Sequence, residues 1–282
     1  MANEVKSTTT TLNDLLSPIV QEAMFVAQEK SLLRGLVKNF TVPRNSGKVL
    51  QVPIYPVSTA TALTEADDLT PSAVSTNVAN ITLSEVGLMT NVSDLSLNYS
   101  ESNVISDVGR LFGEAIALKI DQDIAALFDD FTTTAIGTGT GDNVTAADVF
   151  NAIAKLRTKS VDPNGMVCVL HPLVAHDLKS SITSTFGAPA SDMGNEAMRT
   201  GLVGNLGGIP VYESAAITSA SGVSKGAVFH RDAIGLAIGE DIKIESQRDA
   251  SARATELVGS ATYGVAQLQE TYGAEMNFET SL

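Results

Sequence analysis

The sequence predicts an α+β protein, with helices and strands in separate stretches of the chain. Three observations carry this. Apolar residues recur at helical spacing across 100–131. Residues 226–282 are a nearly unbroken series of extended segments. Between 47 and 97 two strand-like runs flank a long polar tip, the pattern of an extended β-hairpin. The 282 residues are 44% hydrophobic, which suffices for a real core in one large domain or two modest ones.

Residues 1–46 read as an N-terminal arm. Ser7 to Thr11 is polar and β-branched with nothing to bury. Asn13 or Asp14 is placed to cap a short helix carrying Leu15, Leu16, Ile19 and Val20, with Pro18 in its first turn, where a missing N–H costs little. A second amphipathic stretch runs through Met24, Phe25, Leu32, Leu33, Leu36 and Val37. No strand adjacent in sequence covers these faces, so they are expected to pack on a distant part of the chain or on another subunit.

In the hairpin of 47–97, Val49, Val52, Ile54 and Tyr55 lead out, and Val78, Ile81, Leu83, Leu88, Val92 and Leu95 return. Pro53 and Pro56 place the outgoing strand at an edge. The tip TALTEADDLTPSAVST is acidic, with Glu65, Asp67 and Asp68. A two-stranded ribbon is marginal alone in water, so it is expected to lie across a neighbouring subunit.

Residues 98–141 begin the next unit with the long helix. Ser100 and Asn103 offer caps, and Val104, Val108, Leu111 and Ala115 run beside Ile105, Phe112, Ile116, Ile120, Ile124, Leu127 and Phe131. Such a helix would be about 48 Å long. It is expected to end in a Thr/Gly loop, TTTAIGTGTGDN. Residues 142–225 read as an α/β unit: Thr145 caps AADVFNAIAKLRTK, DPNG turns, MVCVL is a buried strand, and HPLVAHDLKSS is a helix with Pro172 near its start. TFGAPASDMGNEAMRTG is expected to be a loop, followed by a Gly-punctuated turn and strand in NLGGIPVYES. In 226–282, AVFH, GLAIG, DIKIESQR, ELVGSATYGVAQLQ and AEMNF are strands, with a long hairpin expected between Ile242 and Met276.

Chemistry is harder to find. Cys168 is the one cysteine, which rules out an intrachain disulfide and fits a buried thiol in a reducing compartment. His171 and His176 are five apart, on different sides of a helix, and His230 stands alone. GTGTGD at 137–142 has the glycines of a phosphate loop but neither its Lys nor its hydroxyl. Adjacent carboxylates at Asp67–Asp68 and Asp129–Asp130 do not make an acid/base pair by adjacency. Trp is absent and aromatics are 5%, a poor basis for stacking sugars or bases. No catalytic residue, cofactor or metal ligand is expected. Net charge is −14, with +2 on residues 1–48 and −16 on the rest, which opposes sequence-independent grip on phosphate backbones. No stretch approaches a membrane span, and the start lacks a signal-peptide layout. A mildly basic arm can meet the acidic body of a neighbour or simply be solvated.

The order of arm, acidic-tipped hairpin, long helix, α/β unit and returning strands resembles the Hong Kong 97-type fold of tailed-bacteriophage major capsid proteins. ALTEADDLTPSAVSTNVANITLSEVGLMTNVSDLSLNYS looks like the extended loop and its return strand. GEAIALKIDQDIAALF looks like the spine helix, NLGGIPVYES like a Gly-Ile-Pro-Val strand of the axial domain, and ESQRDASARATELVGSATYGVAQL like closing strands of the peripheral domain. The resemblance implies a structural coat protein that assembles with itself, through pentamers and hexamers, into an icosahedral head around double-stranded DNA. It implies a peripheral domain in 98–141, an axial domain in 142–225, and further axial strands and a return to the peripheral domain in 226–282. Contacts between copies would fall to Leu15, Leu16, Ile19, Phe25, Leu33, Arg34, Lys38, Glu65, Asp67 and Asp68. Implied partners are a separate scaffolding protein, a portal protein, a cement protein and packaged DNA without sequence-specific contact, but no membrane. The location would be the virion, after synthesis in the host bacterial cytoplasm. Competing readings are an encapsulin-type nanocompartment shell and a soluble enzyme.

Overall fold

A computed structural model describes residues 31–55, 60, 62, 76–95, 104–185 and 204–280. In chain order its elements are α1 (Leu33–Leu36), β1 (Lys38–Thr41), β2 (Val49–Ile54), β3 (Asn77–Thr82), β4 (Ser84–Ser93), α2 (Val104–Ala126), β5 (Thr133–Gly139), α3 (Ala146–Thr158), β6 (Met166–Leu170), α4 (Pro172–Thr185), β7 (Asn205–Leu206), β8 (Ile209–Glu213), β9 (Ser219–Ala220), β10 (Val223–His230), β11 (Ile234–Asp249), β12 (Ala254–Gln267) and β13 (Gly273–Glu279). Among the described residues the strands form three groups. One is a four-stranded sheet ordered β1-β11-β12-β4, another a seven-stranded sheet β5-β13-β10-β6-β8-β7 with β9 beside β10, and the third a two-stranded ribbon β2-β3.

The central strand β6 shows why the sequence reads as it does. All five of its residues are buried. Successive side chains point to opposite faces. Val167 and Val169 therefore enter the core under α2, while Met166, Cys168 and Leu170 enter the core under α3 and α4. A strand covered on both faces needs an unbroken apolar run. Helix α3 buries Ala146, Val149, Ala152, Ile153 and Leu156 on one stripe, and the Asp148 carboxylate accepts both the N–H (2.9 Å) and the hydroxyl (2.7 Å) of Thr145 at its start.

Helix α2 is described over the 23 residues Val104–Ala126, about 34 Å, and ends before Phe131, to which its sequence pattern runs. Val108, Phe112, Ile116, Ile120 and Ile124 repeat every four residues and are buried. The apolar pattern then passes into a 3-10 turn, Leu127–Asp130. There Phe128, Phe131 and Phe229 cluster with ring centroids 5.3–6.5 Å apart, which extends the periodicity beyond the α-helix. The caps read at Ser100 and Asn103 lie outside the described residues.

Four readings are corrected. The Thr/Gly stretch after the helix is not a loop but β5, parallel to β13. Its glycines permit close approach: a Cβ on Gly137 (φ +86°) would stand 2.2 Å from the Asn277 carbonyl oxygen. The hairpin of 47–97 is shorter than expected, because only β2 and β3 pair with each other, from Val49↔Thr82 to Ile54↔Asn77. Beyond Leu83 the chain becomes β4 and joins β12 in the other sheet. The late hairpin is β11 with β12, from Ile234↔Gln267 to Asp249↔Ala254, while β13 leaves for the seven-stranded sheet. Its turn is set by Asp249, whose Oδ1 accepts from Ser251 N (2.9 Å), Ser251 Oγ (2.6 Å) and Ala252 N (3.2 Å). Finally, residues 38–41 of the arm are a strand, β1, parallel to β11.

Candidate assembly surfaces

The first surface lies where the arm joins the body. Asp121, on α2, is buried. Its carboxylate accepts the Ser31 hydroxyl (2.6 Å) and the Leu32 N–H (3.0 Å), ninety and eighty-nine residues away in sequence. Burial pushes the Asp121 carboxyl above the usual range, and these hydrogen bonds pull it partly back. Leu33 and Val37 are fully buried in the core under α2, and Val42 sits in a smaller core with Ile81, Leu83, Ala237 and Leu268. Leu33 is therefore covered by its own chain and presents no face to a neighbour. Arg34 reaches Asp241 at 3.9 Å, Lys38 reaches Asp232 at 2.9 Å, and Arg44 reaches Glu240 at 2.5 Å. These three basic residues of the arm thus meet the acidic body within one chain. Leu15, Leu16, Ile19, Phe25, Glu65, Asp67 and Asp68 lie outside the described residues.

The second surface is the ribbon. Along β2 exposure alternates, with Leu50 and Val52 turned toward the small core and joined there by Phe40, Ala79 and Ala266. The opposite face carries Val49 and Val78, both exposed, and Tyr55 follows, 65% exposed. The expectation that this ribbon has no partner in its own monomer is corrected for the inner face, which packs on the small core. Exposed apolar residues also mark Met89 on β4, Leu111 and Leu118 on α2, and Phe150 on α3.

Two polar clusters escaped sequence reading, because each joins residues far apart in the chain. Lys225 lies between Asp129, with which it forms an ion pair, and Glu275 (3.6 Å). Burial raises the Glu275 carboxyl above its ordinary range, and Asp129 adds to the shift against the pull of Lys225. Arg248 grips both oxygens of Asp94 at 2.5 and 2.6 Å, closing the end of β11 onto the end of β4. Tyr263 donates to Asp123 (2.7 Å) and Gln267 donates to the Leu127 carbonyl (2.8 Å), which ties α2 to β12.

The histidines serve separate structural tasks. His171 Nδ1 accepts from Leu173 N at the start of α4 (3.3 Å), and burial lowers its imidazole below the usual range. His230 Nδ1 accepts from Asp232 N (3.2 Å), which leaves Nε2 to donate to the Asn164 carbonyl (3.0 Å). His176 sits beside Asp177 at the surface of α4. Cys168 is fully buried, and desolvation pushes its thiol up to about 12, far from a reactive thiolate. Among the described residues no group of three or more His, Cys, Asp and Glu side chains is placed to hold a metal ion.

Helix α2 packed on β12 and β4, a seven-stranded sheet whose strand β6 is buried on both faces, and a ribbon that leaves Val49 and Val78 exposed make up the described fold. The sequence pattern of the phage capsid protein family matches residues 76–275, so the chain belongs to that family. The solved capsid of the cyanophage P-SCSP1u is similar at 21% identity and a TM-score of 0.70, covering 89% of each chain. A chain of Mycobacterium phage Che8 is similar at 20% identity and a TM-score of 0.68, covering 82% of this chain and 85% of that one. The encapsulin of Synechococcus elongatus shares the fold at 13% identity and a TM-score of 0.65, covering 90% and 89%. No curated protein matches the sequence. The fold is the Hong Kong 97-type capsid fold. The protein is a structural subunit of a phage shell that assembles with copies of itself, is located in the virion, and is not an enzyme.

Proposed function

We propose that this chain is the major subunit of a tailed-phage head, assembled through pentamers and hexamers into an icosahedral shell around double-stranded DNA. The observation that carries the proposal is the ribbon β2-β3. Its inner face is held by its own chain, its outer face leaves Val49 and Val78 exposed, and it leads to the acidic tip of Glu65, Asp67 and Asp68. That tip and the outer ribbon face lie across the adjacent subunit, where removal of apolar area from water drives association. The unit of 142–225 lies near the capsomer axis. The segments 98–141 and the hairpin β11-β12 form the periphery. The net charge of −14 suits an acidic inner surface along which packed DNA slides without sequence-specific contact. A separate scaffolding protein, a portal protein and a cement protein complete the particle, and the subunit is made in the host bacterial cytoplasm.

Sedimentation and negative-stain microscopy of the expressed full chain test this. Capsomers or closed particles are expected from the wild type. Val49→Glu combined with Val78→Glu is expected to leave a folded chain that no longer assembles. Wild-type protein that stays monomeric with its scaffolding partner present would sink the proposal. An encapsulin-type nanocompartment shell is the alternative reading, but that fold likeness, at 13% identity, is no better than the likeness to phage capsids. Particle contents decide it: DNA supports the phage head, and a docked enzyme cargo supports the nanocompartment.

A further inference from the structure

The 3-10 turn Leu127–Asp130 that follows α2 packs against β10 and β13 of the seven-stranded sheet. Three charged side chains meet there. Lys225 of β10 forms an ion pair with Asp129 of the turn and stands 3.6 Å from Glu275 of β13. The two carboxylates differ in their surroundings: the Glu275 side chain is 11% exposed and that of Asp129 is 54% exposed. One ammonium therefore serves a buried acid and a solvated one.

Among the described residues, Lys225 and Asp129 are the charges that act on Glu275. Strand β5, the other neighbour of β13, carries no ionisable residue, and neither does the segment 214–220. Glu279, further along β13, accepts from the Gly141 N–H (2.6 Å). Asp123 of α2 is held by Tyr263 (2.7 Å) and Lys119 (2.7 Å). Asp130 is exposed at the end of the turn. Beside the cluster lies a groove of about 400 Å³, lined by Ala126, Asp129, Thr218, Lys225 and Asn277 among others. Asn277 stands directly across from Lys225 in the β10-β13 pairing, and its buried Oδ1 has no hydrogen-bond partner among the described residues. Side chains so opposed are close neighbours. A lysine that left Asp129 would thus find both space and a further acceptor.

Burial raises the Glu275 carboxyl above 4.5, while Lys225 pulls it back and Asp129 adds to the rise. Protonated Glu275 is neutral and leaves Lys225 to Asp129. Ionised Glu275 is a buried charge, costly without a partner, whereas Asp129 can be hydrated where it stands. The ammonium then serves Glu275 first.

We propose that Lys225 is a proton-controlled latch, which clamps the end of α2 to the sheet through Asp129 while Glu275 is protonated, and turns to Glu275 and releases Asp129 once Glu275 ionises. A raised folded-state value means a contribution fully present below 4.5 and lost as pH climbs through the raised value. The switch therefore lies above 4.5, with the clamped form on its acid side. Two discrete pairings of one lysine make the joint between helix and sheet bistable. The latch belongs to the single chain, goes beyond the shell reading, and operates whether or not particles form.

The test uses the unassembled full-length chain. Carbon NMR follows the Glu275 carboxyl through a pH titration, and hydrogen exchange follows residues 127–131 at the same pH values. Each wild-type exchange rate is divided by that of Glu275→Gln at the same pH, which cancels the intrinsic pH dependence of exchange. Glu275→Gln keeps the uncharged form and is expected to stay clamped throughout. The ratio should be near one on the acid side and rise to about fivefold, the equivalent of one exposed ion pair, as Glu275 ionises. Asp129→Asn removes the clamp and should exchange fast on both sides of the titration. If Glu275→Gln fails to fold, Asp129→Asn becomes the reference. The wild type should then be the slower of the two in acid and match it once Glu275 ionises. A Glu275 carboxyl that titrates at or below 4.5 would overturn the latch, as would a ratio, against either reference, that stays flat through the Glu275 titration.

Discussion

The seven-stranded sheet and the ribbon β2-β3 are both built of β-branched and aliphatic residues, yet they differ in what covers them. Strand β6 is buried on both faces by two cores of its own chain, whereas β2 alternates between a small satellite core and solvent. One region is complete in the monomer. The other is complete on one side only, and that half-finished state is what a shell subunit offers its neighbours. The two regions should therefore fail differently when altered.

The largest effect is expected in the doubly covered sheet. Phe229 on β10 is fully buried and touches Phe128 and Phe131 at the end of the spine helix. Phe229→Ala is expected to cost about 3–5 kcal/mol, read as a lower urea midpoint in the unassembled chain, and to abolish assembly only because folding is lost. Val78→Ala on the outer ribbon face should move that midpoint by no more than about 0.5 kcal/mol while weakening assembly. Equal losses of stability at the two sites would erase the distinction between the regions.

The hinge between the regions is the second target. Gly264 on β12 lies against the end of the ribbon, where an added Cβ would stand 2.3 Å from the Thr82 carbonyl oxygen and 3.2 Å from Ile81 Cγ2. Gly264→Ala must push β3 away from β12, at a cost of about 1–3 kcal/mol. Hydrogen exchange is expected to rise in 77–82 while β6 and β10 stay protected. If exchange rises uniformly, the ribbon is not an independently loosened unit.

Much of this architecture was legible in the chain itself. MVCVL read as a buried strand because a strand between two cores needs no polar alternation, and Thr145 read as a helix cap, to which the structure adds the partner Asp148 three residues on. The late hairpin was seen but misplaced. β12 continues directly through a 3-10 turn into β13, and sequence cannot show that the two belong to different sheets. β5 was taken for a loop since its glycines, which signal turns locally, are required here by the close approach of β13. For the arm, the sequence leaves packing on a distant part of the chain and on another subunit both open, because the partners Asp121, Gly235 and Asp241 lie far along the chain. The assembly surfaces were legible only as unmatched apolar faces. Which faces the monomer itself covers depends on contacts of long sequence separation, and so do the clusters of Lys225 and of Arg248.

Protonation distinguishes the arm junction from the periphery. The Asp121 carboxyl is raised by burial above its ordinary 3.8. A raised folded-state value means a contribution fully present below 3.8 and lost as pH climbs through the raised value. Asp121→Asn is expected to be less stable than wild type by about 1 kcal/mol at pH 7, through weakened hydrogen bonds to Ser31 and Leu32. That gap should widen as pH falls toward 4. A gap that narrows on acidification would mean that burial does not dominate at Asp121.

The smallest effect is expected at the far end of the peripheral sheet, and its sign is opposite. Asp94 is held below 3.8, first by its hydrogen bonds from Arg248 and then by that guanidinium's charge. A lowered folded-state value gives stability that is present above 3.8 and lost as pH falls through the folded value. Arg248→Lys keeps the charge but loses the two-point grip on both carboxylate oxygens. Because the pair is solvent-exposed, the variant's melting temperature at pH 7 should be barely distinguishable from wild type. Whatever difference is measured should shrink as the pH is lowered below 3.8, while the Asp121→Asn difference grows. Opposite slopes in one acid titration would separate a buried clasp at the arm from a surface tie at the sheet edge. Parallel slopes would show that both carboxylates answer to net charge alone.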